Sequence, residues 1–130
     1  MQKTLLENNA ILKLSFDLAL MVINYCQLLD ENKKYIISKQ VLRSGTSIGA
    51  NAMEAQNAES KSDFVHKIKL AAKEADETQY WLLLCDYAHS YPDCKDLFFK
   101  LEEIQKVLNK ILGTAKRKNP ISYLLSFFIF

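Results

Sequence analysis

The residues here that could do chemistry are carboxylates and lysines at helical spacing, with two histidines and three cysteines among them. Glu54, Glu74 and Glu77 could converge inside a helical bundle as a carboxylate metal site. Bundles that hold a pair of metal ions take a glutamate and a histidine three residues apart from each of two helices. In this chain the residue three after Glu74 is Glu77, and three after Glu77 comes Tyr80. Asp63 with His66 and Asp86 with His89 keep the spacing, but both pairs fall on one long predicted helix, about 34 Å apart along it. Two sites so far apart cannot share a metal within one chain, so neither a metal nor a cofactor is expected. No nucleophile has a base at a diagnostic spacing, and no glycine-rich loop follows a strand. The expectation is a protein that is not an enzyme.

The lysines are more suggestive. Between Ile104 and Lys118 lie Lys106, Lys110, Lys116, Arg117 and Lys118 with no acidic residue, a local charge of +5. One reading is a solvated helix end that suits the negative end of the helix dipole. The other is a patch that binds RNA or DNA phosphates without reading bases, multiplied by oligomerisation. Lys67, Lys69 and Lys73 add positive charge upstream, partly offset by Asp63, Glu74, Asp76 and Glu77.

These groups must be positioned by the segment Arg43 to Glu54, RSGTSIGANAME. On a helical wheel Arg43, Ser47, Ala50, Asn51 and Glu54 share one quadrant, and Val41, Gly45, Ile48, Ala52 and Ala55 form the neighbouring stripe. Gly45 and Gly49 stand four apart, which lets another helix bring its backbone close. Arg43 is the obvious counter-charge for Glu54 or Glu77. The expectation is a buried structural layer of Arg43, Ser47, Asn51, Glu54, Glu74 and Glu77 that fixes helix register, so that Arg43→Ala should strand a carboxylate at a cost of several kcal/mol.

The rest of the chain reads as helices around that segment. At 130 residues, 49% hydrophobic and 25% charged, with three Gly and two Pro, it suits a single all-α domain. The net charge of +2 does not by itself select a nucleic-acid partner. Cys26, Cys85 and Cys94 show no C-x-x-C spacing, so reduced thiols are expected. With no secretion signal visible, the expected location is the cytoplasm.

Apolar spacing predicts helix one over about Leu5 to Leu29, with Ile11, Leu14, Leu18, Val22, Tyr25 and Leu29 on one stripe. A second stripe, Leu12, Phe16, Ala19, Ile23 and Cys26, is more apolar surface than one core needs. Either it is buried deep in the monomer or it meets a neighbouring subunit; because bundle helices normally keep a wide wet face, an oligomer is predicted. Helix two is predicted over Lys39 to Gln56 with Ser38 as its cap, and helix three from Ser60 or Ser62 to about His89. Helix four starts near Cys94 or Lys95 with Asp93 as its cap, along the seam Leu97, Leu101, Ile104, Leu108, Ile111 and Ala115. Four helices with short joints imply an antiparallel up-down-up-down four-helix bundle over residues 1–118. The last segment, 119–130, carries the apolar run ISYLLSFFIF. That run is too short to span a membrane and would be a liability if freely exposed, so the readings are packing on its own or another subunit, a disordered or partner-binding tail, or contact with a membrane surface.

The phrase QVLRSGTSIGANAMEAQ, followed by SKSDFVHKIKLAAKEADETQYWL, resembles the bacterial family of 23S rRNA intervening-sequence proteins. The matching positions are Gln40, Arg43, Thr46, Ser47, Ile48, Asn51, Glu54, Ala55, Ser60, Asp63, Phe64, Ala71, Glu74, Glu77 and Trp81. The resemblance covers residues 10 to 115 and is most specific at helices two and three. It implies an antiparallel four-helix bundle that assembles as a ring-shaped homopentamer. Some members are encoded within inserts of large-subunit rRNA genes. Related accessory proteins of diversity-generating retroelements bind a reverse transcriptase and nucleic acid through a basic pentamer. The resemblance therefore implies RNA, DNA or a reverse transcriptase as partners, and the shared positions are a folding signature, not a catalytic site. The modest net charge and the apolar tail after Pro120 depart from the family pattern. The alternative function is a protein-interaction scaffold that binds no nucleic acid.

Overall fold

The computed structural model describes residues 3–116, and among them every regular element is a helix: α1 Lys3–Asn8, α2 Ala10–Glu31, α3 Tyr35–Ala55, α4 Lys61–Tyr87 and α5 Lys95–Ala115. In chain order each long helix packs on the next, and α5 returns to α2, so the four long helices enclose one core. Leu18, Val22 and Leu29 of α2 meet there with Val41 and Ile48 of α3, Phe64, Ile68 and Leu82 of α4, and Leu101, Ile104, Leu108 and Ile111 of α5. Arg117, Lys118 and the segment 119–130 lie outside the described residues, and so does the boundary drawn between them.

The expected first helix is interrupted at Asn9, a buried residue in extended conformation. Its side chain accepts a hydrogen bond from the Leu12 N–H at 3.3 Å and donates to Gln56 Oε1 at 3.2 Å. Capping α2 and tying it to the end of α3 outweighs continuing the helix through this residue.

The second helix begins at Tyr35, four residues before the expected start, because α2 ends in a tight reversal. Lys33 adopts a left-handed conformation with φ 62°. The Lys34 N–H donates to Leu29 O at 2.8 Å and the Lys33 N–H to Asp30 O at 2.9 Å. This is the paired pattern of a Schellman turn, with lysine where glycine is usual. Ser38 is therefore not a cap. It is buried inside α3, where its hydroxyl donates to Cys26 O at 3.2 Å.

Ser60 does cap α4, accepting from the Asp63 N–H at 3.0 Å. Asp93 does not cap α5. Cys94 holds that position, buried, with its thiol directed at Leu82 O at 3.5 Å. The loop before it is fastened to α2 by the Tyr25 hydroxyl, which donates to Pro92 O at 2.7 Å. Nearby, Lys34 Nζ lies 5.0 Å from the Tyr91 ring centroid.

Close approach of α2 and α3 follows from the two glycines. A Cβ on Gly45 would sit 2.8 Å from Val22 Cγ2, and one on Gly49 would sit 3.2 Å from Ser15 Oγ. Among the described helices α2 alone is long and apolar enough to cross a membrane. Its inner stripe, from Ile11 to Leu29, is nevertheless spent on the core formed with α3 and α5.

Candidate nucleic-acid interface

The lysines singled out by the sequence are placed by α4 and α5, two helices packed side by side. Lys116 is exposed at the C-cap of α5, and Lys106 and Lys110 are exposed on that helix because its buried stripe of Leu101, Ile104, Leu108 and Ile111 forces the intervening positions outward. Lys69 and Lys73 are exposed on α4 for the same reason, and none of these five lysines is ion-paired among the described residues. Gln105 Nε2 donates to Asp76 Oδ1 and Gln79 Oε1, each at 3.2 Å, and this fixes how the two helices line up. At the start of α4 a shallow recess is lined by Lys61, Ser62, Val65, His66 and Lys69. The structure thus brings the lysines of α4 and α5 onto neighbouring helices, with amine groups free to meet phosphate. Lys67 is engaged elsewhere, 3.6 Å from Glu54.

The expected polar layer divides. Arg43 meets Glu74 at 3.2 Å and also pairs with Glu77, whose Oε2 accepts from Trp81 Nε1 at 2.9 Å. Glu54 does not join them; it turns to Lys67. Ser47 and Asn51 bond back to their own helix, with Ser47 Oγ donating to Arg43 O at 2.6 Å and Asn51 Nδ2 to Ser47 O at 2.9 Å. The cluster is also at the surface: the side chains of Arg43, Glu54 and Glu77 are 49%, 59% and 35% exposed. Water reaches these carboxylates, and Glu74 keeps 20% of its side chain exposed, so loss of Arg43 does not strand a fully buried charge.

The buried polar link between α3 and α4 is a different pair. Thr78 Oγ1 donates to Ser44 Oγ at 2.9 Å, and Ser44 Oγ donates to Gln40 O at 3.0 Å, with both residues fully enclosed. Its signal was present in the sequence: Ser44 falls on the Val41–Ile48 stripe and Thr78 on the Ala71–Ala75–Leu82 stripe, polar residues at core positions.

The cysteines are poor nucleophiles. Burial pushes the thiols of Cys26 and Cys85 upward, and Cys94 is pushed up to about 11, so at neutral pH all three stay protonated and shielded. Burial likewise raises the Tyr25 phenol, beside Cys85 and Cys94. Among the described residues no three His, Cys, Asp or Glu side chains are grouped to hold a metal ion.

Comparison with known proteins follows the same helices. The family described as 23S rRNA-intervening sequence protein matches residues 7–110. The chain belongs to that family. A crystal structure at 1.70 Å of a protein with unknown function from the S23 ribosomal protein family of Bacteroides thetaiotaomicron is 41% identical, with a TM-score of 0.73. The alignment covers 80% of this chain and 99% of that one. No curated protein matches the chain. The family match ends before Lys116, so two of the α5 lysines, Lys106 and Lys110, lie within the part shared with the family.

One surface was only partly foreseen. Of the second stripe on α2, Leu12 and Cys26 are buried, Ala19 is half-buried, and Phe16 and Ile23 are exposed at 42% each. Leu20 of α2 and Leu42 of α3 extend the same outward apolar face at 49% and 41% exposure.

Proposed function

We propose that this family member is a non-enzymatic oligomeric adaptor that binds RNA or DNA through the lysines of α4 and α5. In this reading the four long helices form an antiparallel up-down-up-down bundle, and copies associate through the outward face of Leu20, Ile23 and Leu42. A homopentameric ring, the assembly implied by the family resemblance, repeats the lysine surface five times. The protein works in the cytoplasm, where its unpaired cysteines remain reduced, and it presents nucleic acid to a processing enzyme such as a reverse transcriptase. The observation that carries this reading is that Lys69, Lys73, Lys106, Lys110 and Lys116, on adjacent helices, are exposed and make no ion pair among the described residues. Such groups release counterions when they meet phosphate, and repetition in a ring multiplies the effect.

The test is binding of the purified protein to a structured RNA and a matched DNA across a salt series, with mass measured by light scattering on the same samples. Affinity should fall steeply with salt, and fall again when Lys106 and Lys110 are replaced by alanine. An assembly that binds neither at low salt would instead support a protein-interaction scaffold. That second reading is favoured by the exposed side chains Tyr80, Leu83 and Tyr87 on α4 and Phe99 on α5, which offer apolar contact on the same two helices.

A further inference from the structure

An apolar groove of about 260 Å³ lies where the first half of α2 meets the second half of α3. Leu6, Leu12, Phe16 and Ala19 line one side, and Gly49, Ala50 and Met53 the other. Its hydroxyls are already committed: Ser15 Oγ donates to Leu12 O at 3.3 Å and Thr46 Oγ1 to Leu42 O at 2.7 Å. A ligand there gains from burying carbon and has little to offer a polar partner. A cavity of about 150 Å³ accepts a benzene ring, so this one has room for an aromatic side chain with an aliphatic one beside it.

The chain itself supplies such a ligand. Residues 121–130, ISYLLSFFIF, carry no charged side chain, and all but Ser122 and Ser126 are large aliphatic or aromatic residues. We propose that this segment docks, in the same molecule, in the α2–α3 groove. As a helix it would place Ile121, Leu124, Leu125 and Phe128 on one face, with Ser122 and Ser126 turned away. Ten helical residues extend about 15 Å, which matches a groove running roughly 11 Å from Leu12 to Ala19 before it reaches Leu6.

The position of α5 makes the path short. Its start lies against the last turns of α2, where Tyr25 reaches Pro92 and where Met21 and Leu28 face Cys94 and Leu97. From that start the 21 residues of α5 run back along the 22 of α2, which brings the end of α5 toward the beginning of α2. Residues 117–120 can span about 13 Å, slightly more than the helix diameter of about 10–12 Å that they must pass. Pro120 disfavours continued helix immediately before the apolar run, which suits a change of direction there. The upper part of the same face, Leu20, Ile23 and Leu42, is left uncovered for association between copies.

The experiment uses the full chain with Ala50→Cys and Phe128→Cys, joined by a short bis-maleimide at pH 7. The native thiols are buried and protonated, so the introduced pair reacts. Docking predicts a cross-linked species of monomer mass on a denaturing gel, and little of it when Lys110→Cys on the outer side of α5 replaces Ala50→Cys. In a second measurement chymotrypsin should cut after Tyr123 or Phe127 at least tenfold faster in Ala50→Glu than in the unmodified chain. A dimer-mass product would overturn the proposal in favour of a neighbour's groove. Equal cleavage rates in both chains, or protection that appears only on adding phosphatidylcholine vesicles, would overturn it too. Light scattering and RNA binding on the same samples report separately on assembly and nucleic acid, so failure of either leaves the cross-link result intact.

Discussion

Two seams of the same core are built in opposite ways. Between α2 and α3 the contact is made by small residues: Gly45 lies on Val22, Gly49 on Ser15, and Ala52 and Ala55 continue the stripe. Along α5 the contact is made by large ones, Leu97, Leu101, Ile104, Leu108 and Ile111. In the first seam side chains of α2 rest directly on the backbone of α3, and at Gly45 there is no space for another atom. In the second attraction comes from hydrocarbon removed from water, and harm comes from taking atoms away. The same substitution, a methyl gained or lost, therefore has opposite meaning on the two sides of one core.

The large-residue seam should give the largest effect. Leu108→Ala is expected to cost about 2–5 kcal/mol, read from the denaturant midpoint at unchanged slope. A loss below about 1 kcal/mol would mean that the site collapses freely and that the seam is not close-packed.

The small-residue seam should respond to addition. Gly45→Ala gains about 1 kcal/mol of helix propensity but presses a methyl against the branched Val22, and overpacking typically costs about 1–3 kcal/mol. The net change is expected to be destabilising, and Val22→Ala in the same chain should relieve part of it. Additive losses in the double variant would show that the two residues do not meet. Gly113 on α5 sharpens the contrast, because a Cβ there meets nothing within 4 Å. Gly113→Ala should therefore stabilise by up to about 1 kcal/mol, through propensity alone; a lower midpoint would contradict an open site.

The smallest effect is expected at the surface. Arg43→Ala removes two ion pairs at the surface, in which Arg43 is 49%, Glu77 35% and Glu74 20% exposed, and exposed pairs are worth about 0.2–1 kcal/mol. Thermal unfolding should shift by a few degrees at most, far less than a buried layer would lose, and high salt should shrink the difference further.

Much of this arrangement could be read before any coordinates. The α5 stripe, the Ser60 cap and the glycine pair are local signals, because period, cap chemistry and a missing Cβ act within a few residues. The errors came where two local signals competed. Ser38 has good cap chemistry, but a left-handed Lys33 reverses the chain right after α2, so that α3 starts early and takes Ser38 into the helix, where it bonds Cys26. Asn9 looked like part of a continuous amphipathic run until its side chain found Gln56, 47 residues away. The lysines of α5 could be placed on an outer face from period alone, whereas that their helix is the neighbour of the one carrying Lys69 and Lys73 required the packing of α4 on α5.

The sequence alone determined the helical class, the core stripes, the family resemblance and the positive charge gathered toward the end of α5, because each depends on residue type at a fixed short spacing. Tertiary structure decided which polar groups are buried. Arg43, Glu54 and Glu77 share a helical pattern with a core layer, yet the closeness of α2 to α3 and of α3 to α4 leaves them in water and encloses Ser44 and Thr78 instead. Periodicity gives the direction in which a side chain points; only the distance to the neighbouring helix sets whether water can follow it.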